Sequence, residues 1–412
     1  MILSGYIFIY FINKNYGYSF VGNFALIQSI YLMLTTICVL GLDTLSVKLV
    51  PLNNKYLKFI YVKILLFIAP LVLLSSIIIY FSSEYIAILF NETSLSNPIK
   101  VLSFSLFPLS LISINSEFFR GMKNIFYYSL YNKGSILLFL IMLLLIFNSS
   151  FFRDSQIEIS NSKLLIYYYY LYSIILLSFV STMHLFLRYL MQTQLFIPEN
   201  HMLAKKNLFI LSKNMLLINI VFILFQFIDT ILLGLLSTSR DVGIYTIVLK
   251  ISSITSIILL GVNSIIGPII SQLFSSNKLD ELNMYVKASV RISSLLSIPI
   301  ILLIIYNSNN FLSFFGSNLL IYKKALYIMC FAQFINVISG SVGLIMQMTG
   351  NEQIFRNIII FSIIINIVLS LILIPKYQVW GSVYSSAFSL ILWNILSIIF
   401  IKKKINIYSF IR

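Results

Sequence analysis

Hydrophobic residues follow one another in long runs along almost the whole chain, and the polar residues fall between these runs. Runs such as Ile136 to Phe147 are continuously apolar, whereas the strands of a membrane β-barrel alternate apolar and polar residues. A helix needs about 20 apolar residues to cross a bilayer. The runs therefore predict about twelve transmembrane α-helices.

The apolar runs also give the approximate bounds of these helices. In chain order they are Ile2 to Ile12, Phe20 to Leu42, Phe59 to Phe81, Ile99 to Phe118, Phe126 to Phe147, Leu164 to Leu187, Leu208 to Leu236, Gly243 to Pro268, Ala288 to Tyr306, Leu319 to Met346, Phe355 to Ile374 and Ser382 to Ile401. The first run reaches only about 17 Å at 1.5 Å per residue. We therefore expect the first helix to be truncated.

Composition excludes several classes of protein. The chain is 59% hydrophobic and 10% charged, whereas a soluble domain carries about 25% charged residues. Both cysteines, Cys38 and Cys330, lie inside apolar runs, and the two histidines are isolated. The sequence therefore predicts an all-α polytopic membrane protein and not a soluble enzyme, with no metal site, no bound cofactor and no nucleic-acid partner.

Charge indicates the orientation. The chain has 28 Lys and Arg against 12 Asp and Glu, a net charge of +16. About twice as many Lys and Arg fall on the side of the termini as on the opposite side, and basic residues accumulate in cytoplasmic loops. We therefore expect both termini to lie in the cytoplasm.

The two halves of the sequence resemble each other. VGNFALIQSI, Val21 to Ile30, aligns with VGIYTIVLKI, Val242 to Ile251. Six helices in each half make a parallel repeat, an arrangement typical of transporters with a site between two bundles. We therefore predict two six-helix bundles around a central cavity: residues 1–206, and residues 207–412 with a basic cytoplasmic tail.

Two prolines occupy equivalent positions in the repeat. Pro70 lies within the third predicted helix and Pro299 within the ninth. Proline removes one helical hydrogen bond and can kink a helix. The two prolines are either hinges for bending of the bundles or ordinary kinks, because proline is also common in membrane helices.

Ionisable residues inside the membrane are candidate site residues. Asp229 and Lys250 each lie about seven residues from the predicted connection between helices 7 and 8. Either they form a structural ion pair, or they line the cavity, with Lys250 attracting an anion and Asp229 serving as its partner or as a cation-coupling site. Lys63 and Lys133, near the cytoplasmic face, either extend to the interface or line the cavity.

Two further pairs lie at the cytoplasmic ends of predicted helices. They are Asp43 with Lys48, and Glu117 with Arg120. We interpret both as interfacial ion pairs or gates.

Two long segments carry a family resemblance. Gly17 to Val50 has a short glycine turn, a long apolar helix and GLD followed by a basic residue, and FIDTILLGLLSTSRDVGIYTIVLKI, Phe227 to Ile251, repeats this layout. The second segment carries Asp229, Tyr245 and Lys250. Both segments resemble bacterial polysaccharide flippases, the polysaccharide transporter family of the superfamily that includes lipid II flippases and multidrug antiporters.

The resemblance implies a flippase for O-antigen, capsular or exopolysaccharide repeat units. Its expected substrate is an undecaprenyl-pyrophosphate-linked oligosaccharide, moved across the bacterial inner membrane from the cytoplasmic to the periplasmic leaflet by alternating access, coupled to H⁺ or Na⁺. Cations in the cavity would bind the phosphates. The partners it implies are the lipid bilayer, the O-antigen polymerase and the chain-length regulator of lipopolysaccharide synthesis. Polar residues within the helices either bind sugar hydroxyls or pack the helices: Asn219, Gln226, Asn263 and Asn336.

Two alternatives remain open. A multidrug or other lipid exporter of the same superfamily would be expected to have more carboxylates inside the membrane than Asp229 alone. An O-antigen polymerase would be expected to have a long extracytoplasmic loop, and the connections between the apolar runs are short.

Overall fold

The computed structural model describes residues 2–52, 54–147, 159–191, 193 and 208–404. Every regular element in this part of the chain is helical. The α-helices are α1 (Ile2–Cys38), α2 (Leu42–Leu52), α3 (Leu57–Leu89), α4 (Ser96–Ser103), α5 (Leu106–Gly121), α6 (Ile125–Leu130), α7 (Ile136–Phe147), α8 (Ile159–Leu185), α9 (Leu208–Leu236), α10 (Ser239–Ser253), α11 (Ile257–Ser275), α12 (Leu279–Tyr306), α13 (Ser308–Phe315), α14 (Lys323–Ser339), α15 (Val342–Met348), α16 (Glu352–Tyr377) and α17 (Val379–Lys404).

Many of these helices are long and apolar enough to cross a membrane. Among the described residues, nine helices are long and apolar enough, and the bent α4–α5 pair would make a tenth span. A shorter apolar helix covers Lys133–Ile146. The prediction of an all-α polytopic membrane protein is confirmed.

The first two predicted helices form one helical run with a break. In α1, Gly17 has φ 79° and ψ 178°, outside the helical region. Glycine adopts positive φ without the steric penalty of a Cβ atom, so the backbone can change direction here. The first helix thus continues to Tyr16, and its predicted end at Ile12 was wrong.

Several helices extend beyond their apolar runs. The helix predicted from Gly243 begins at Ser239, because Thr238 caps it: the Thr238 hydroxyl accepts a hydrogen bond from the Asp241 backbone N–H at 3.3 Å. The carboxylate of Asp241 in turn accepts a hydrogen bond from the Thr238 hydroxyl at 2.8 Å. The start of this helix is therefore set by its capping residue and not by the first residue of the apolar run.

The predicted fourth helix is bent. Its two parts, Thr93–Ser103 and Leu106–Gly121, meet at 57°. Pro108 is the third residue of α5 and has no N–H to donate to the carbonyl of Phe104, so the helical ladder is interrupted at this point.

The prolines predicted as hinges lie inside long helices. Pro70 is within α3 and Pro299 within α12, and each helix is continuous through its proline. Both side chains are exposed. Their role as hinges stays a prediction.

The structure divides into two compact units. The first unit comprises Met1–Tyr16 and Leu26–Ile223, and the second comprises Gly17–Ala25 and Leu224–Arg412. The predicted boundary between residues 206 and 207 falls outside the described residues, and the two six-helix bundles stay a prediction.

A buried asparagine connects three helices of the first unit. Asn115 of α5 accepts a hydrogen bond from the Tyr61 hydroxyl at 2.8 Å. Its side-chain N–H groups donate to Ser181 at 2.9 Å and to Thr182 at 2.8 Å. Because both ends of the amide are satisfied, this polar group can stabilise α3, α5 and α8 within an apolar interior.

Small residues bring the helices of the second unit close together. Helix α17 packs against α14 and α16, and a Cβ atom added at Gly381 would lie 2.6 Å from backbone atoms of Leu373 and Ile374. The buried serines of α17 recur every three or four residues: Ser382, Ser385, Ser386 and Ser389. Such a face allows close packing and places hydroxyls in the interior.

Candidate functional site

A buried carboxyl group lies in the interior of the second unit. Asp229 of α9 is buried, and its Oδ1 atom has no hydrogen-bond partner among the described residues. The polar side chains that act on this carboxyl group are Asn366, Ser386 and Tyr245. A buried carboxylate with an unsatisfied oxygen is costly, which marks it as a candidate functional group.

The groups around Asp229 form a hydrogen-bonded network. The hydroxyls of Tyr245 and Ser386 lie 2.7 Å apart. Asn366 donates to the hydroxyl of Ser389 at 2.9 Å, and Ser370 donates to Ser385 at 2.8 Å. The Asp229 site therefore joins α9, α10, α16 and α17. The polar groups named here are a carboxylate, hydroxyls and a side-chain amide.

This site could accept a proton or a hard cation. Carboxylate, hydroxyl and amide oxygens are the ligands that hard cations prefer, and protonation of Asp229 would remove its charge.

The structural ion pair, one of the two readings of Asp229 and Lys250, is not formed; a role of either residue in lining a cavity stays a prediction. Lys250 is not among the groups that act on Asp229, and Asp229 is not among those that act on Lys250. Helix α10 begins at Ser239, so Tyr245 rather than Lys250 lies level with Asp229. Lys250 follows Tyr245 by five residues, which turns it about 140° around the helix. It is half-buried on another face of α10.

A second group of polar residues surrounds Asp43 in the first unit. Asp43 accepts hydrogen bonds from the Ser113 hydroxyl at 2.8 Å and from the backbone N–H of Thr44 at 2.7 Å. The side chain of Asn219 donates to the Thr44 hydroxyl at 2.9 Å and lies 3.4 Å from the Asp43 carboxylate. The Asp43 site therefore links α2, α5 and α9.

Three further charges belong to the Asp43 site. Arg120 contacts Glu117 at 3.3 Å, as the sequence predicts. Asp43 and Glu117 both act electrostatically on Lys133, and Lys133 and Asp43 act on Glu117. The negative charges of Asp43 and Glu117 are thus offset by the positive charges of Arg120 and Lys133. This compensation lowers the free-energy cost of keeping the charges partly buried.

The other predicted lysine contacts differ from expectation. Asp43 takes Ser113, Thr44 and Asn219 as partners and not Lys48, which is exposed on α2. The reason is the direction of the helix, because Lys48 is five residues from Asp43 and points about 140° away. Lys63 is half-buried, and its ammonium lies 5.6 Å from the ring centre of Phe59.

The uncharged polar candidates are dispersed. Asn263 accepts a hydrogen bond from Ser341. Asn336 accepts one from Asn394 at 3.2 Å, and Gln226 is exposed. Of the four, Asn219 is the one that joins a charged group.

Sequence reasoning missed the residues that complete both sites. Ser386, Asn366 and Ser113 have no charge and lie in apolar helices. The recurrence of serines every three or four residues along α17 was a readable signal of a polar face. A similar signal points to Ser113, because Ser110, Ser113 and Ser116 recur every three residues along α5 and all three are buried.

The sequence matches two known protein families. The Polysaccharide biosynthesis protein family matches residues 6–274, and the MatE family matches residues 215–372. The first match covers more than half of the chain, so the protein belongs to the Polysaccharide biosynthesis protein family.

Two curated relatives come from Haloferax volcanii. The probable low-salt glycan biosynthesis flippase Agl15 is 25% identical over 185 residues, covering 45% of this chain and 39% of the relative. The probable flippase AglR is 24% identical over 178 residues, covering 42% and 37%. The alignments thus span less than half the length of these relatives.

Solved structures of similar fold are transporters. An inward-facing multidrug resistance MATE family transporter of the MOP superfamily aligns with a TM-score of 0.80 at 11% identity, covering 98% of this chain and 95% of that one. Lipid II flippase MurJ, in an inward closed conformation, gives 0.71 at 16% identity, covering 97% and 85%. At these identities the matches establish the fold.

Proposed function

We propose that this protein is a flippase that moves a lipid-linked oligosaccharide across the membrane. The observation that carries the proposal is its membership of the Polysaccharide biosynthesis protein family. The names of both Haloferax relatives, which describe flippases, support it. Sugars and phosphates cannot cross hydrocarbon unaided, because unsatisfied polar groups cost several kcal/mol each, so such a substrate needs a polar path through protein.

The substrate we propose is an undecaprenyl-pyrophosphate-linked repeat unit of O-antigen, capsule or exopolysaccharide. The half-buried cations Lys250 and Lys133 are suited to bind phosphate by charge-assisted hydrogen bonds. Movement would run from the cytoplasmic to the periplasmic leaflet of the inner membrane, with both termini in the cytoplasm. An O-antigen polymerase and a chain-length regulator would use the product.

We propose that transport is coupled to H⁺ or Na⁺ at the Asp229 site. The support is the buried carboxylate oxygen without a partner, surrounded by Tyr245, Ser386 and Asn366. Binding of either cation would neutralise Asp229 and shift the balance between two conformations, provided that its affinity differs between them.

A multidrug exporter is the second candidate, favoured by the match of the MatE family to residues 215–372. The two functions require different ligands. An exporter of organic cations needs exposed acids along its path, whereas a flippase for a pyrophosphate needs bases.

Complementation of a bacterial strain that lacks its flippase tests the proposal. We expect surface polysaccharide to return and the lipid-linked unit to appear in the periplasmic leaflet. Efflux of organic cations without restored polysaccharide, at equal protein levels, would instead establish the exporter.

A further inference from the structure

Two adjoining cavities open on the surface of the first unit, between α3, α4 and α8. The larger has a volume of about 420 Å³ and the smaller about 300 Å³, both within the range of small-ligand sites. Tyr80 and Phe104 line both. We call the pair the α3–α4 groove.

The two parts of the groove differ in chemistry. Polar groups in the larger cavity come from four side chains: Tyr80, Asn97, Lys100 and Tyr168. The smaller cavity is lined mainly by apolar side chains: Leu73, Ile77, Phe81 and Phe107, with Ser76. The α3–α4 groove is therefore amphipathic.

The bent helix shapes this groove. Phe104 lies at the 57° bend between α4 and α5, where Pro108 interrupts the ladder. The bend turns Phe104 outward, with 65% of the residue exposed, and its ring packs edge-on against Tyr80 at 6.0 Å. The wall between the two cavities thus follows from the break in the helix.

An ion pair lies at the polar end. Lys100 donates to the carboxylate of Glu84 at 2.7 Å, and their side chains are 33% and 69% exposed. Glu84 lies one helical turn beyond Tyr80 on α3. Lys100 lines the groove, and Glu84 lies beside it at the rim, so a positive and a negative group stand side by side there, each with hydrogen-bonding capacity left for a ligand.

The surroundings face acyl chains. Large apolar residues around the groove are exposed on a helix long and apolar enough to cross the membrane: Leu73, Ile77, Phe81 and Tyr85. The ligand that reaches such a groove from within the bilayer is a lipid.

We propose that the α3–α4 groove binds one molecule of phosphatidylethanolamine. Its phosphate accepts hydrogen bonds from Lys100 and Asn97, its ammonium donates to Glu84, and one acyl chain occupies the smaller cavity. Phosphatidylglycerol carries the same phosphate but no ammonium, so nothing would offset the repulsion between its negative charge and the nearby Glu84. Phosphatidylcholine has no N–H to donate. This site is independent of the proposed transport function.

Native mass spectrometry of the full-length protein tests the proposal. The detergent-purified chain is mixed with equal amounts of dioleoyl phosphatidylethanolamine, dioleoyl phosphatidylcholine and dioleoyl phosphatidylglycerol. We expect the first to bind about tenfold more tightly than either of the others, the effect of one charge-assisted hydrogen bond. Glu84→Gln should remove the preference over phosphatidylcholine, and Ser76→Phe, which fills the smaller cavity, should weaken binding of all three lipids.

A matched control is available in the second unit. Lys278 and Glu281 form another exposed ion pair at 2.9 Å, and Glu281→Gln should leave lipid preference unchanged. Equal binding of the three lipids, tighter binding of phosphatidylglycerol or phosphatidylcholine, or equal effects of Glu84→Gln and Glu281→Gln would each overturn the proposal.

Discussion

Gly22 and Gly243, which occupy equivalent positions in the sequence repeat, lie against each other in the second unit. A Cβ atom added at Gly22 would overlap the carbonyl oxygen of Ser239, and one added at Gly243 would overlap that of Tyr18. Tyr18 and Ser239 are also equivalent in the repeat. The contacts are thus reciprocal, as expected of two segments related by a local two-fold axis.

This contact predicts that Gly243→Ala destabilises the protein. The added methyl group meets backbone atoms that cannot rotate away, so the two segments must separate, at a cost of about 1–3 kcal/mol. The measurement is the midpoint of thermal unfolding in detergent. Gly261→Ala is the control, because nothing lies within 4 Å of a Cβ atom added there. Equal midpoints for the two variants would show that the close contact does not exist.

Asp229→Asn should abolish transport without lowering stability. Asparagine keeps the shape and hydrogen-bonding capacity of the side chain but removes the negative charge that a coupling cation needs. The neutral amide also avoids the cost of a buried charge. Transport is measured as surface polysaccharide in the complemented strain, and stability as the thermal midpoint.

The control for Asp229→Asn is Asp280→Asn, an exposed residue in the first turn of α12. If Asp229→Asn transports normally at equal protein levels, Asp229 has no part in coupling.

Lys133→Gln should destabilise the Asp43 site. Without the Lys133 ammonium, the negative charges of Asp43 and Glu117 repel each other with less positive charge to offset them. We therefore expect the free energy of unfolding to fall by about 1–3 kcal/mol. Adding Glu117→Gln should restore part of this loss, because the double variant removes one of the uncompensated charges. Lys123→Gln, ten residues earlier and exposed, is the matched control. Strictly additive effects of the two substitutions would argue against their interaction.

Lys250→Gln should reduce polysaccharide export several-fold while the protein level stays constant. The half-buried ammonium is our candidate for binding the substrate's phosphate, and glutamine cannot supply the charge. Lys403→Gln, in the exposed basic end of α17, tests whether loss of any positive charge has the same effect. A comparable loss of export in both variants would remove Lys250 from the substrate site.

The fold class followed from the sequence because it depends on local composition. A window of about 20 apolar residues favours lipid over water whatever its neighbours are, so α3, α12 and α16 could be located from their runs. Their ends could not, because caps and breaks depend on individual residues. Thr238 extends α10 and Gly17 breaks α1, and neither changes the apolar pattern.

The sites were predicted only in part. Asp229, Asp43 and Lys133 stand out in the sequence because ionisable groups are rare inside apolar helices. Of their partners, Asn219 was a candidate from the sequence and Tyr245 lies in the segment with the family resemblance. Ser386 and Ser113 were not singled out, since serine also serves as a packing contact in membrane helices.

The sequence by itself determined that this chain is an all-α membrane protein with an internal repeat and a few ionisable residues within its helices. Only the tertiary structure decided that Asp229 faces Tyr245 and not Lys250, and that Asp43 faces Ser113 and not Lys48. The physical reason is that hydrophobic partitioning is a property of each segment alone. The partner of a side chain, in contrast, depends on where its helix begins, how far the helix has turned and which distant helix packs against it.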